Sequence, residues 1–423
     1  MHKDTNIKSE LFLYYKINSY FRIKIGVLYV VRSILLNRVR FMSQVKSISF
    51  KNYKAFGNEQ VQIVLKPVTL FIGKNSSGKS SLLKLISILS SLTAGNINIP
   101  MILKNENVSL GGRYEDIFHN NQTTGLSLGI EFDNGVKINI SYYIDKGELY
   151  VYEYDIEGNE RKNIRETIPF NTPIDGFLNN EALDKLSISS SDLSFRTAYI
   201  GPVREQPNRN IEITSNLSKT NVGANGSNTY SLLLKSYLSE EKILFNNVSS
   251  WLEKNLEHQA INFERNSPSS GSYSLYIQRG DAKVNISDVG QGLAQVLPII
   301  TQSYIADDID IMLVEQPALH LHPAAHAAVA YQLADMAKKL NRKCIIETHS
   351  ENILLAIRNL VADKSSNLNS DDVIIYFIDS DEEQEAFVQE ITIDEMGQLS
   401  TWPEGVFSEG FDLLAQIMQH REI

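Results

Sequence analysis

Gly73-Lys74-Asn75-Ser76-Ser77-Gly78-Lys79-Ser80 satisfies every specified position of the eight-residue G-x-x-x-x-G-K-[ST] phosphate-binding loop. Its flanks have the composition such a loop needs. Pro67-Val68-Thr69-Leu70-Phe71-Ile72 is short, apolar and β-branched, which predicts a buried strand. Ser81-Leu82-Leu83-Lys84-Leu85-Ile86-Ser87-Ile88-Leu89 repeats apolar residues at helical spacing. In a strand–loop–helix unit, main-chain N–H groups around Gly78 and at the helix N-terminus surround phosphates. Lys79 would then reach the β- and γ-phosphates and Ser80 would coordinate Mg²⁺. The expected ATP-binding set is Gly73, Lys74, Asn75, Ser76, Ser77, Gly78, Lys79, Ser80 and Ser81, with ATP and Mg²⁺ as cofactors.

Outward from the loop, residues 46–72 predict two or three strands. Residues 126–155 alternate apolar and polar side chains around the turns Asp133-Asn134-Gly135 and Asp145-Lys146-Gly147, which predicts a β-meander. Residues 158–195 are polar and irregular, and 212–228 are rich in Ser, Asn and Gly, the composition of a mobile loop. A helix is expected over 229–257, strands over 272–278 and 282–287, and a helix from about 290 to 306. Beyond 310 the pattern alternates: strands at 310–315, 343–347, 372–378 and 385–392, helices at 323–340, 351–361 and 408–419. Strands alternating with helices predict a mostly parallel sheet covered on both faces. The domain expectation is residues 42–200 and 286–423 as two parts of one ATPase head, with 201–285 as an inserted helical and β region.

Four later segments complete a second half-site. Ile309-Asp310-Ile311-Met312-Leu313-Val314-Glu315-Gln316-Pro317 is an apolar strand ending in an acid, the Walker B pattern. There a carboxylate holds the water shell of Mg²⁺, so Ser80 and, through water, Glu315 are the expected metal residues. Thr348-His349-Ser350 follows the next strand, where His349 would sense the γ-phosphate. Ser287-Asp288-Val289-Gly290-Gln291-Gly292 opens a helix. Its Ser287, Gly290, Gln291 and Gly292 are expected to contact the ATP of a second subunit, with a simple N-cap as the plainer reading. Leu319-His320-Leu321-His322-Pro323 offers H-x-H, but no third ligand stands at metal spacing, and a turn at a dimer interface is preferred. The expected catalytic residues are Glu315, Gln316 and His349.

Together these segments resemble ATP-binding-cassette-like ATPases of the SMC, RecF and OLD class, over roughly residues 43–420. Within that class the chain is most similar to bacterial AAA family ATPases of the AAA15/AAA21 type. Gly201-Pro202-Val203-Arg204-Glu205 and Trp402-Pro403-Glu404-Gly405-Val406-Phe407 are similar to motifs of that group. The resemblance implies an α/β P-loop NTPase of ABC-ATPase type, with a mostly parallel sheet flanked by helices and an N-terminal antiparallel β subdomain. It implies a nucleotide-sandwich homodimer or higher homo-oligomer. Members include ATPase subunits of anti-phage defence systems such as the Septu ATPase, which works with a separate HNH nuclease. The expected function is therefore an ATP-driven sensor or regulator of a partner effector, with DNA or a phage component as a further partner. The alternative is a RecF- or SMC-like repair ATPase acting on DNA.

Departures from the family pattern carry information. Gln316 stands where related ATPases have a catalytic glutamate, and glutamine orients water without taking its proton. Slow hydrolysis is expected. No C-x-x-C motif and no long heptad run is present, which excludes a zinc hook and a long coiled-coil arm, and no L-S-G-G-Q supports a transporter subunit. Asp379-Ser380-Asp381-Glu382-Glu383 reads as a solvated turn between strands rather than as a nuclease site.

Bulk properties agree. The 423 residues are 43% hydrophobic, enough for one large or two ordinary domains. The single cysteine, Cys344, rules out an internal disulfide or a multi-cysteine zinc site and suits a reducing, cytoplasmic setting. A net charge of -10 opposes a surface coated for non-specific nucleic-acid binding, though not a local basic patch. Residues 1–41 are instead basic, with eight Lys/Arg against two Asp/Glu. Their apolar runs are broken by Lys16, Arg22, Lys24 and Arg32 and fall short of the roughly 18 residues a membrane helix needs, so no membrane partner is expected. They are read as an upstream extension before a start at Met42, with a basic amphipathic anchor as the competing reading.

Overall fold

The computed structural model describes residues 43–94, 99–158, 163–169, 177–178, 180–212, 220–257, 259–269, 271–305, 309–380, 385–402, 407 and 416–418. The expectations for residues 1–41 and most of the helix expected at 408–419 lie outside these residues, as does part of the loop at 212–228. The chain from Gln44 onward forms one unit.

An antiparallel sheet comes first in the chain. Its strands β1 (Val45–Lys51), β2 (Val61–Val64), β4 (Thr124–Phe132), β5 (Lys137–Asp145), β6 (Glu148–Glu157) and β7 (Asn163–Thr167) lie in the order β2-β1-β4-β5-β6-β7. A second sheet is built from β3 (Val68–Ile72), β8 (Thr197–Ile200), β13 (Ile311–Glu315), β14 (Lys343–Glu347), β15 (Val373–Ser380) and β16 (Ala386–Ile391). Its order is β16-β15-β3-β14-β13-β8, and every neighbouring pair is parallel except β15 with β16. Strands β9 (Ile211–Glu212), β10 (Ala260–Arg265), β11 (Ser272–Arg279) and β12 (Ala282–Asn285) form a small antiparallel sheet around β11. The helices are α1 (Lys79–Thr93), α2 (Asn180–Lys185), α3 (Thr229–Leu238), α4 (Ile243–Asn255), α5 (Gln291–Tyr304), α6 (Pro323–Lys339) and α7 (Glu351–Ala362).

The parallel sheet separates two hydrophobic cores, and strand alternation assigns side chains between them. Phe71, Ile311, Leu313, Ile345, Ile374, Tyr376 and Ile378 join the core shared with α1 and the antiparallel sheet. Their strand neighbours Leu70, Ile72, Met312, Val314, Cys344, Ile346, Ile375 and Phe377 join the core shared with α3 to α7. Burial on both faces explains why these strands read as unbroken apolar runs. Helix α1 lies between two sheets, so Leu82, Leu83, Leu85, Ile86, Ile88 and Leu89 are all fully buried. Each such side chain contributes about 1.5–3 kcal/mol to folding.

Two local expectations need correction. The helix expected over 229–257 is two helices, because Lys242 takes φ 50° and its N–H bonds the Ser239 hydroxyl at 3.2 Å instead of continuing the ladder. The polar stretch after 158 contains β7, an edge strand whose sequence Asn163-Ile164-Arg165-Glu166-Thr167 lacks the apolar density of a core strand.

Candidate nucleotide and cation site

The loop after β3 is shaped by close approaches that only glycine permits. Gly73 has φ 137°, and a Cβ there would lie 1.9 Å from the Ile378 carbonyl oxygen on β15. Gly78 has φ 103°, and a Cβ there would lie 2.8 Å from the Phe56 ring. Lys74, Asn75 and Ser76 are exposed on the loop, while Ser77 and Lys79 are buried and Ser80 and Ser81 half-buried. Lys79 turns its Nζ inward, donating to the Gly73 carbonyl at 3.1 Å, to the Lys74 carbonyl, and to the Ser77 hydroxyl at 3.3 Å. Burial holds its pKa below the usual lysine value, partly opposed by the charges of Glu347 and Asp379.

Strand order decides which acids reach the loop. β14 lies directly beside β3, and β13 lies one strand further out. In register, Glu315 at the end of β13 pairs with Glu347 at the end of β14, which pairs with Phe71 on β3. Alternation puts Glu315 and Glu347 on the α1 side of the sheet, as for Leu313 and Ile345. The Ser80 hydroxyl on the first turn of α1 meets both Glu347 oxygens, at 3.0 and 2.8 Å. Glu315 accepts from the Tyr199 hydroxyl of β8 at 2.5 Å, and the Ser80 hydroxyl acts on it as well. Both acids are buried, 3% and 5% exposed. Desolvation raises the pKa of each. For Glu347, the adjacent Glu315 charge adds to this and pushes the carboxyl up to about 7. Sequence reasoning named Ser80 and Glu315 but missed Glu347. The available signal was an acid at the end of an apolar strand, the same one used for Glu315.

Gln316 follows Glu315 in the left-handed region, φ 47°, and its N–H donates to the Glu347 carbonyl at 2.9 Å. Arg204, 2% exposed, donates from Nη2 to the Glu315 carbonyl at 2.5 Å. Gln295 of α5 in turn donates to the Arg204 carbonyl at 3.1 Å. Arg204 is therefore a site-positioning residue, although the sequence showed it only as part of Gly201-Pro202-Val203-Arg204-Glu205. His349 is exposed, and partial desolvation followed by the nearby Lys79 charge holds its imidazole below the usual range. The turn before α6 is held by its histidines. His322 Nδ1 accepts from the Ala324 N–H at 3.3 Å, and His326 bonds the Ser350 hydroxyl at 2.8 Å and the Leu321 carbonyl at 3.2 Å. Among the described residues no group of three or more His, Cys, Asp or Glu could hold a metal ion.

The expected signature residues stand apart from this cluster. Asn285 Oδ1 accepts from the main-chain N–H and the hydroxyl of Ser287, at 3.0 and 2.9 Å. Gly290 caps α5, Gly290 and Gln291 are exposed, and a Cβ on Gly292 would lie 2.6 Å from the His320 carbonyl oxygen. The turn thus packs against the segment after Glu315 and Gln316. No bond between it and the phosphate loop occurs among the described residues. The solvated turn expected at 379–383 is corrected in its first residue. Asp379 is buried within β15 and pairs with Lys74 on the phosphate loop at 2.8 Å, while 381–384 lie outside the described residues. Parallel pairing of β15 with β3 brings that strand end to the loop.

The hard oxygen donors Ser80, Glu315 and Glu347 beside a phosphate loop fit Mg²⁺, which prefers one or two carboxylates plus phosphate and water. Among described residues no helix is long and apolar enough to cross a membrane.

Residues 68–356 match the family AAA_21, "AAA domain, putative AbiEii toxin, Type IV TA system". Residues 368–417 match "Protein of unknown function (DUF3696)". No curated protein matches the chain. Similar solved structures include an SMC head bound to the C-winged helix domain of ScpA, at 14% identity and TM-score 0.49, covering 83% of this chain and 98% of that one. A Pyrococcus furiosus Smc head with an extended coiled coil, bound to the C-terminal domain of ScpA, shows 12% identity and TM-score 0.46, covering 89% and 100%. The SMC head domain of Thermotoga maritima shows 11% identity and TM-score 0.41, covering 82% and 98%.

Proposed function

We propose that this chain, which belongs to the AAA_21 family of AAA-domain ATPases, is a magnesium–ATP switch that closes two copies around nucleotide, hydrolyses slowly and controls a partner effector. The observation that carries this reading is the convergence of Lys79, Ser80, Glu315 and Glu347 at the carboxyl ends of adjacent parallel strands. The amide-lined loop and α1 N-terminus would bind the phosphates, and Lys79 would exchange its loop carbonyls for phosphate oxygens. Ser80 and Glu315 would hold Mg²⁺, the latter through water. The ion supplies charge neutralisation on the β- and γ-oxygens. Gln316 would orient the attacking water, and the uncharged His349 imidazole would accept or donate a hydrogen bond beside it. Because Gln316 cannot accept a proton, turnover is slow and the nucleotide-bound state long-lived.

The Gly290-Gln291-Gly292 turn at the α5 N-terminus, with Gly290 and Gln291 exposed, would face the phosphates of the second copy. The 42–200 and 286–423 segments act as one head, with 201–285 inserted between them. The effector is read as a separate nuclease of HNH type in bacterial anti-phage defence, in the cytoplasm, with DNA or a phage component as trigger. Among the described residues on the outer face of the antiparallel sheet, Glu131, Glu153, Asp155 and Glu157 outnumber Lys137 and Arg165, and this absence of a basic groove there favours the switch reading over a repair clamp that grips DNA on that face. Calorimetry with Mg²⁺ and ATP, together with the oligomer mass of the wild type and Lys79→Ala, tests the proposal. Magnesium-dependent uptake and nucleotide-driven dimerisation, both lost in the variant, are expected. No uptake by the wild type would refute it.

A further inference from the structure

We infer that Glu347 is a ligand of the catalytic cation, directly or through one water, alongside Ser80 and Glu315. The inference rests on the magnesium–ATP reading above and concerns a residue two positions before the histidine of Thr348-His349-Ser350.

Three observations support it. Glu347 stands on the strand beside the phosphate-loop strand, whereas Glu315 stands one strand further out. The Ser80 hydroxyl, which must turn a lone pair to the cation, already spans both Glu347 oxygens at 3.0 and 2.8 Å. Its proton would stay on that bond while the oxygen coordinates. Glu315 takes the Tyr199 hydroxyl on Oε1 and also feels the Ser80 hydroxyl, so Ser80 stands between the two acids. Two buried acids paired across adjacent strands repel each other, and a divalent ion is the counter-charge that such a pair suits. Lys79 and Lys84 act on Glu347, and Lys84 and Arg204 on Glu315, only through space; the Lys79 Nζ bonds the carbonyls of Gly73 and Lys74 and the Ser77 hydroxyl. The competing reading is purely structural, with Glu347 a buried acceptor that fixes the Ser80 rotamer.

Mn²⁺ titration of the full chain, followed by electron paramagnetic resonance in the presence of ADP, separates the two. Binding of a fluorescent ATP analogue in EDTA reports nucleotide affinity without metal. Glu347→Gln keeps shape and hydrogen bonding but removes the anionic ligand. It is expected to weaken Mn²⁺ binding at least about tenfold while analogue affinity in EDTA stays within about threefold. Asp335→Asn removes an equal charge from α6, away from the phosphate loop, and is expected to leave Mn²⁺ affinity within about twofold. Glu347→Asp, which withdraws the carboxylate by one methylene, carries the same test if the glutamine variant does not fold. Unchanged Mn²⁺ affinity in Glu347→Gln, or an equal loss in Asp335→Asn, would overturn the inference and leave the switch reading intact. A wild type that binds neither analogue nor Mn²⁺ would bring down both.

Discussion

Arg204 donates from Nη2 to the main-chain carbonyl of Glu315 at 2.5 Å, so the Walker B strand ends on a buried guanidinium rather than on solvent. The same residue receives a bond at its own carbonyl from Gln295, which ties the end of the strand to α5. Arg204 Nε and Nη1 have no hydrogen-bond partner among the described residues, and burial lowers its pKa to about 10. Arg204→Met should lower turnover about tenfold or more, a loss of about 1.4 kcal/mol of transition-state stabilisation, because Gln316 loses the anchor of its strained backbone. Nucleotide affinity measured in EDTA should stay within about threefold. Steady-state kinetics and the fluorescent analogue check both halves.

Lys79→Ala should reduce ATP affinity about a hundredfold, since a charge-assisted phosphate contact is lost from a low-dielectric site. Its thermal stability without nucleotide should be equal to or above that of the wild type, because the substitution removes a desolvated charge. Calorimetry and thermal denaturation in EDTA measure the two effects. A large loss of stability would show that the lysine holds the empty loop together.

Gln316→Glu should raise turnover about tenfold or more by adding a general base at the water-orienting position. The wild type should stay below about 10 per second, the usual enzyme median. A phosphate-release assay reads both, and a variant slower than the wild type would reject the assigned role.

Burial, then the charge of Glu315, lifts the Glu347 carboxyl up to about 7, whereas in an unfolded chain it titrates near ~4.3. Between those values the folded state holds the proton more tightly than the unfolded state does. The metal-free protein therefore loses stability as pH rises from about 4.3 through about 7, by about 4 kcal/mol from this group, and loses no more above. Melting curves in EDTA at pH 5 and pH 8 should show Glu347→Gln gaining on the wild type at the higher pH. An equal difference at both values would contradict the shift.

Gly292→Ala should destabilise the fold by about 1–3 kcal/mol, because the added methyl would lie 2.6 Å from the His320 carbonyl oxygen. Urea denaturation reads this directly. A neutral result would mean the turn at the α5 N-terminus is free to move away from the segment after Gln316.

Much of the site was legible because its chemistry is local. Gly73 to Ser80 are contiguous, and the apolar runs around them declare a strand and a helix. Glu315 and His349 each follow a strand visible in the same way. Glu347 was not recognised, although it too ends an apolar strand, because nothing along the chain says that its strand is inserted beside β3. Asp379 was misread for the same reason: a run of acids looks solvated until β15 is placed against the phosphate loop. Arg204 was visible only as part of a motif, since its partners, Glu315 and Gln295, lie about a hundred residues further on.

Sequence alone determined the strand–loop–helix unit, the αβ alternation beyond residue 310 and the acid at the end of β13, because periodicity and glycine placement are short-range properties. Tertiary structure alone decided that β14 lies between β3 and β13, and hence that Ser80 meets Glu347 while Tyr199 meets Glu315. Strand order follows from how whole faces of the sheet are buried between two cores, and no local run of residues encodes that.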